Sequence, residues 1–171
     1  MNLRLAKKGT AVCVLAGCSS ESKDKREYRT PKSLCSIPVD ADLLTPLLPE
    51  GKTVGVEEKN PVPSRSLCQV NVDGKTALIT SQEWRERGDG VTDVADSLAR
   101  IEGGEVTSDD KYLYAGTGAV GHTASCSNPR HKEHVLFTAI QLFADGHDDA
   151  TSMKKLITAY TEAVERSDIC S

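Results

Sequence analysis

Histidines, a glycine-rich run, a serine–lysine pair and cysteines are the parts of this 171-residue chain whose type and spacing can do chemistry. His131-Lys132-Glu133-His134 sets two histidines three apart, with His122 and His147 elsewhere. A zinc site needs three or four converging ligands, and no third one stands at a suitable spacing. Solvated loop histidines are the preferred reading, and no metal is expected. Gly116-Thr117-Gly118-Ala119-Val120-Gly121 matches GxGxxG after a strand-like run. A dinucleotide fingerprint also requires a helix to open at those glycines. The following His122 to Pro129 is no helix former, so a glycine-rich hairpin or bulged strand is expected, and no cofactor. Ser152-Met153-Lys154-Lys155 fits Ser-x-x-Lys at a helix start, without the Ser-Asp-Asn and Lys-Thr-Gly segments that complete such a site. No catalytic residue is assigned. Asp145, Asp148 and Asp149 suit a helix N-terminus better than a hard-cation loop. Trp84, the single tryptophan, and Arg85 are the candidate binding residues, since these types dominate binding hot spots. The competing reading places Trp84 over a sheet edge.

The chain opens with Arg4, Lys7 and Lys8 and no acid, then the short apolar run Ala11 to Gly17. A basic segment before a short apolar stretch and small residues is a secretion leader, and the run is too short to span a bilayer. Leu15-Ala16-Gly17-Cys18 resembles the lipobox of bacterial lipoproteins. That resemblance implies a diacylglyceryl thioether on Cys18 and cleavage after Gly17. Two acyl chains anchor stably without a basic patch. Residues 19–32 are polar and mixed in charge, too poor in apolar groups to offset ordering entropy. The expected organisation is therefore a signal peptide over 1–17, a lipidated cysteine and flexible stalk over 18–33, and one domain over 34–171.

Formal charge is −4; loss of Arg4, Lys7 and Lys8 with the leader leaves 18 basic against 25 acidic residues, or −7. That balance argues against nucleic acid and against electrostatic attachment to anionic lipid. Of six cysteines, Cys13 falls in the leader and Cys18 in the lipobox. Cys35, Cys68, Cys126 and Cys170 remain, an even set in an exported domain and hence a disulfide framework. Four cysteines allow three connectivities. Cys35–Cys68 with Cys126–Cys170 is preferred, since each bond then ties a segment start to a later element of the same half.

The elements that must hold these residues follow from periodicity. Asp40 caps a short helix with Leu43, Leu44, Leu47 and Leu48 on one face. Thr53 to Glu58 suits a strand, and Asn60 to Ser64 a loop. Cys68 to Val72 and Lys75 to Ile79 flank Asp73-Gly74, the signature of a type I′ hairpin, whose second strand extends towards Trp84. Val91, Val94, Ala95, Leu98, Ala99 and Ile101 recur at helical spacing, with Thr92 or Asp93 as cap and Gly103-Gly104 as stop. Short strands follow over 111–115 and 118–124, and a central strand over 134–143. Thr151 or Ser152 caps a final helix with Met153, Leu156, Ile157, Tyr160 and Val164 inward. The expected fold is α+β: one antiparallel sheet packed on one face by helices, including the C-terminal helix, and stapled by two disulfides.

With its lipobox, charged stalk, Leu34-Cys35-Ser36-Ile37-Pro38-Val39-Asp40 opening, Leu47-Leu48-Pro49, Cys68 before Val-Asn-Val-Asp-Gly and closing Cys170, the chain resembles a class of small actinobacterial lipoproteins of unknown function. The resemblance implies an α+β domain lipid-anchored at the outer face of the cytoplasmic membrane, and supplies no catalytic residue. A non-enzymatic module binding a protein, an envelope component or a small ligand is the preferred reading. The alternative is a cell-envelope hydrolase in which His122, His131 or His134 meets a carboxylate or hydroxyl.

Overall fold

Alternation of apolar and polar residues with period two marks residues 65–86, and a near-continuous apolar run over 134–142 pairs beside them in a broad antiparallel sheet. The computed structural model describes residues 26–170; Cys13, Cys18 and the leader lie outside them. The elements run β1 (Ser33–Leu34), β2 (Ile37–Pro38), α1 (Ala41–Leu44), β3 (Val54–Val62), β4 (Arg65–Val72), β5 (Lys75–Glu86), α2 (Val91–Asp96), β6 (Glu105–Val106), β7 (Tyr112–Tyr114), β8 (Gly118–His122), β9 (His134–Leu142) and α3 (Ala150–Glu165). β1 and β2 form a small separate hairpin; the other seven strands make one sheet in the order β3-β4-β5-β9-β8-β7-β6. Every pair is antiparallel. Two meanders meet where β9 pairs with β5 along nine residues, from Leu78↔Leu142 to Glu86↔His134.

The hairpin at Asp73-Gly74 forms as the sequence predicts, with φ of 47° and 77° at its two central residues, the left-handed values a type I′ turn needs. Asp73 does a second job. Its carboxylate accepts from Lys52 N, Thr53 N and Thr53 Oγ1, which tacks the start of β3 to the turn.

The two sheet faces carry separate cores. On one face, α3 presents Met153, Leu156, Ile157, Tyr160 and Val164 to Tyr112, Ala119, Leu136 and Ile140, and the α1 segment adds Leu44, Leu47 and Leu48. On the reverse face, Val91, Val94, Ala95, Leu98 and Ile101 pack on Leu113, Val120, Phe137 and Ala139. The sheet, the C-terminal helix and the disulfide pairing stand as the sequence predicts; the short α2 adds a covered patch on the reverse face. Cys35–Cys68 and Cys126–Cys170 are both formed, with Cα atoms 5.8 and 4.5 Å apart.

Four boundaries differ from expectation, each for a local reason. α3 is capped by Asp149, whose carboxylate accepts from Thr151 N and Ser152 Oγ, not by Thr151 or Ser152: its charge also favours the helix dipole. α2 ends at Asp96, with Gly90 at its N-cap and the Asp93 carboxylate returning to Gly90 N. Leu98 and Ile101 reach the core through tighter turns, Leu98 N bonding Ala95 O and Ile101 N bonding Leu98 O. β3 runs on through Pro61 to Val62 with a register shift, since an edge strand tolerates a residue without an N–H. Residues 26–32, placed in the stalk by composition, are instead docked. The Arg26 guanidinium donates to Thr45 O and Leu48 O, Glu27 N to Gly51 O, and Thr30 Oγ1 lies 2.8 Å from Thr45 Oγ1. The acceptors lie along the helical segment and the loop after it, and Tyr28 packs against the main core, so hydrogen bonds and one aromatic ring together order this segment.

Candidate functional site

The central strand β5 carries Leu78, Thr80, Gln82 and Trp84 on the α3 side of the sheet, because alternate residues share a face. Leu78 is ordinary core. Thr80 and Gln82 put polar groups where an apolar face is the norm, and β4 repeats the pattern with Ser66 beside Cys68, since Ser66 pairs with Gln82 and Cys68 with Thr80. α3 lies over β7, β8 and β9 and its Tyr160 marks the border of what it covers. Beside it, over β4 and β5, a cavity of about 500 Å³ remains. Its floor is Ser66, Thr80 and Gln82; Trp84, Tyr160 and the Cys35–Cys68 bridge wall it, and the β3–β4 turn with Arg130 forms the rim.

The floor is a hydrogen-bonded chain with one loose end. Gln82 Nε2 donates to Tyr160 Oη at 3.0 Å, and Ser66 Oγ donates to Gln82 Oε1 at 3.3 Å. Burial pushes the Tyr160 hydroxyl pKa up against the opposing effect of Thr80 and Gln82, so it stays a neutral donor. Thr80 is 0% exposed. Its hydroxyl stands near that of Tyr160 but makes no well-formed hydrogen bond. Such an orphan is uncommon in a folded interior and calls for a partner.

Trp84 and Arg85 point to opposite faces of the sheet. Trp84 is 9% exposed, lines the cavity and stacks on His131 with ring centroids 4.7 Å apart and planes 9° from parallel. Arg85 points to the reverse face, where its Nε donates to Asp89 at 2.7 Å and its Nη1 lies 3.5 Å from Glu83. Trp84 sits on a central strand, not over a sheet edge.

His131 and His134 meet edge to face with ring centroids 6.0 Å apart, while His122 and His147 lie elsewhere. His122 stacks on Phe137 at 4.8 Å, its pKa lowered first by burial and then by Lys111, with Glu165 opposing. His131 is lowered by burial, then by His134 and Arg130. His147 Nδ1 lies 3.4 Å from Pro46 O. Among the described residues, none of His122, His131 and His134 hydrogen-bonds a carboxylate or hydroxyl. No group of three or more His, Cys, Asp or Glu among them converges on a metal position, and no helix among them is long and apolar enough to cross a membrane.

The glycine run is strand β8, and two of its glycines are there for close packing. A Cβ on Gly118 would come within 2.7 Å of Ile101 Cγ1, and one on Gly121 would collide with Thr161 Oγ1. Ser152 of the Ser-x-x-Lys segment donates a hydrogen bond to the Asp149 carboxylate.

The residues the sequence reading missed are Ser66, Thr80, Gln82 and Tyr160. The signal was available: polar side chains at strand positions in phase with Leu78 and Trp84. No family model, no curated protein and no solved structure matches this chain.

Proposed function

We propose that this chain is an exported lipoprotein, held by a lipid on Cys18 at the outer face of the cytoplasmic membrane, whose domain binds a ligand without transforming it. The observation that carries the binding role is the cavity beside α3, about 500 Å³ and lined by Trp84, Tyr160 and a buried, unpartnered Thr80 hydroxyl. Ligand sites have this volume and this mixture of apolar wall and few convergent polar groups. Export is supported by the two disulfides, which persist in oxidising compartments, and by the leader and lipobox in the sequence.

The ligand reaches the floor past the β3–β4 turn, and Trp84 reports its arrival. Two measurements test the reading. The first is intact mass of the protein from its native membranes, before and after reduction and alkylation. A chain starting at Cys18 with diacylglycerol, and four thiols that appear only on reduction, is the expected result; an unmodified Cys18 overturns the anchor. The second is native mass spectrometry of the same material after gentle extraction, with Ser66→Phe, which fills the cavity, beside wild type. A small adduct on wild type that the variant lacks is expected. An adduct equally present on both overturns the cavity as the binding site.

A further inference from the structure

Resting on the cavity as the binding site, we infer that its ligand is a neutral, hydroxyl-rich ring: a saccharide unit. The polar floor contains no formal charge. Ser66, Thr80 and Tyr160 offer hydroxyls and Gln82 an amide, groups that both donate and accept. Counting protons shows what is left over. Gln82 spends one N–H on Tyr160 and its carbonyl on Ser66. The second Gln82 N–H, the Tyr160 O–H and the Thr80 O–H remain to donate, and the hydroxyl oxygens retain lone pairs to accept. Neighbouring hydroxyls on a ligand answer both demands, whereas an ammonium group only donates and a carboxylate only accepts.

Charge argues the same way. The ionisable groups around the cavity are Glu58, Arg65 and Arg130, of mixed sign, besides Tyr160. Arg65 already faces Glu83 at 3.6 Å on the reverse side of the sheet, and Glu58 and Arg130 are solvent-exposed. A charged ligand on the floor would lose its hydration without gaining a counter-ion, which is costly. The remaining wall is apolar: Leu34, the Cys35–Cys68 bridge, Trp84 and Ile169. A sugar ring has a C–H face to lay on such a wall and a hydroxyl edge for the floor. The Thr80 oxygen has almost no free surface and lies beside the Tyr160 hydroxyl, so a ligand hydroxyl reaches it only as the side chains around it give way.

The test is titration of the purified full-length protein, followed by Trp84 fluorescence, the only indole in the chain, and by calorimetry. The probes are glucose, galactose, N-acetylglucosamine, maltose and N,N′-diacetylchitobiose as neutral rings, sorbitol as an open-chain polyol, and citrate, glycerol 3-phosphate and spermidine as charged solutes. Saturable binding of at least one neutral sugar is expected, with Thr80→Val about tenfold weaker, the worth of one hydrogen bond of roughly 1.4 kcal/mol. Ser66→Phe should abolish it, with the fold checked by circular dichroism. Tighter binding of a charged probe or of sorbitol, lost in Ser66→Phe, overturns the ligand class and leaves the cavity as the site. Binding that survives Ser66→Phe overturns the cavity itself. Absence of any sugar binding at tens of millimolar overturns the saccharide inference, and the membrane-derived adduct then decides whether the cavity reading stands.

Discussion

Replacing Thr80 by valine should make the free protein more stable, while the same change at Thr138 should make it less so. Both threonines are fully buried on the α3 side of adjacent central strands, so transfer and β-propensity effects largely cancel between them. Their hydroxyls differ. Thr161 Oγ1 donates to Ile157 O at 2.7 Å, which leaves Thr138 as donor in its own 2.7 Å contact with Thr161. The Thr138 hydroxyl is therefore partnered, with Gly121 O a second acceptor at 3.3 Å, and its removal takes away the bond that Thr161 accepts, at a cost of about 1–2 kcal/mol. The Thr80 hydroxyl has no comparable bond. Valine there removes a desolvated polar atom and adds a methyl, a gain of about 1 kcal/mol. For a chain of this size, that corresponds to roughly +3 °C in Tm for Thr80→Val, and to roughly −3 to −6 °C for Thr138→Val. Urea unfolding with disulfides intact, extrapolated linearly at a common m-value, gives the same comparison at 25 °C. If Thr80→Val proves as destabilising as Thr138→Val, the Thr80 hydroxyl is well satisfied in the free protein. The polar floor then loses the feature that makes it a site.

Three further expectations follow from the packing and the charges. Removing the Cys126–Cys170 bridge with a double serine substitution opens a loop of 44 residues; a loss of about 4 kcal/mol is expected from chain entropy, read by denaturant midpoint, and a loss below 1 kcal/mol would contradict it. Gly121→Ala should cost about 2 kcal/mol or more, since its methyl collides with Thr161 and crowds Thr138 in a core that cannot yield; Gly55→Ala, with open space around it, is the control expected to be near neutral. His122 has a folded pKa below its ordinary value of 6.5, from burial and Lys111. The unfolded chain therefore binds the proton more readily, and stability should fall as pH drops below about 6.5 until the folded ring also protonates. His122→Gln should flatten that part of the stability-versus-pH profile, and an unchanged profile would show that His122 titrates normally.

Local chemistry was legible in the sequence and long-range assembly was not. Asp73-Gly74 needs nothing outside its own four residues to specify a turn, and the hairpin forms with its second strand prolonged to Glu86. The inward face of α3 was equally plain, because Met153, Leu156, Ile157, Tyr160 and Val164 recur at helical spacing. The two disulfides could be paired because each closes within one half of the chain. The cavity was invisible by comparison. It joins Ser66, Thr80 and Gln82 from two strands to Tyr160, 78 residues beyond Gln82, and a search for apolar periodicity passes over polar residues in the same phase. Trp84 was singled out for its type, but nothing local revealed that Arg85, its neighbour, faces away. The docking of residues 26–32 was missed because composition weighs total apolar content, and this segment is held by one ring, Tyr28, and by hydrogen bonds to residues 45–51.

That docking fixes where the chain enters the domain. Arg26 and Glu27 are bound at Leu48 and Gly51, next to the Asp73 turn. β5 leads from that turn to Trp84 at the cavity, roughly 30 Å along the strand. With a lipid on Cys18, residues 18–25 reach at most about 28 Å from the bilayer, and they arrive at the pole opposite the opening. The domain would then stand like a cup on a short stem, its mouth turned outward to whatever diffuses through the envelope and its base toward the lipid. Ligand capture would need no release from the membrane, and lengthening the stem would change how far the cup reaches.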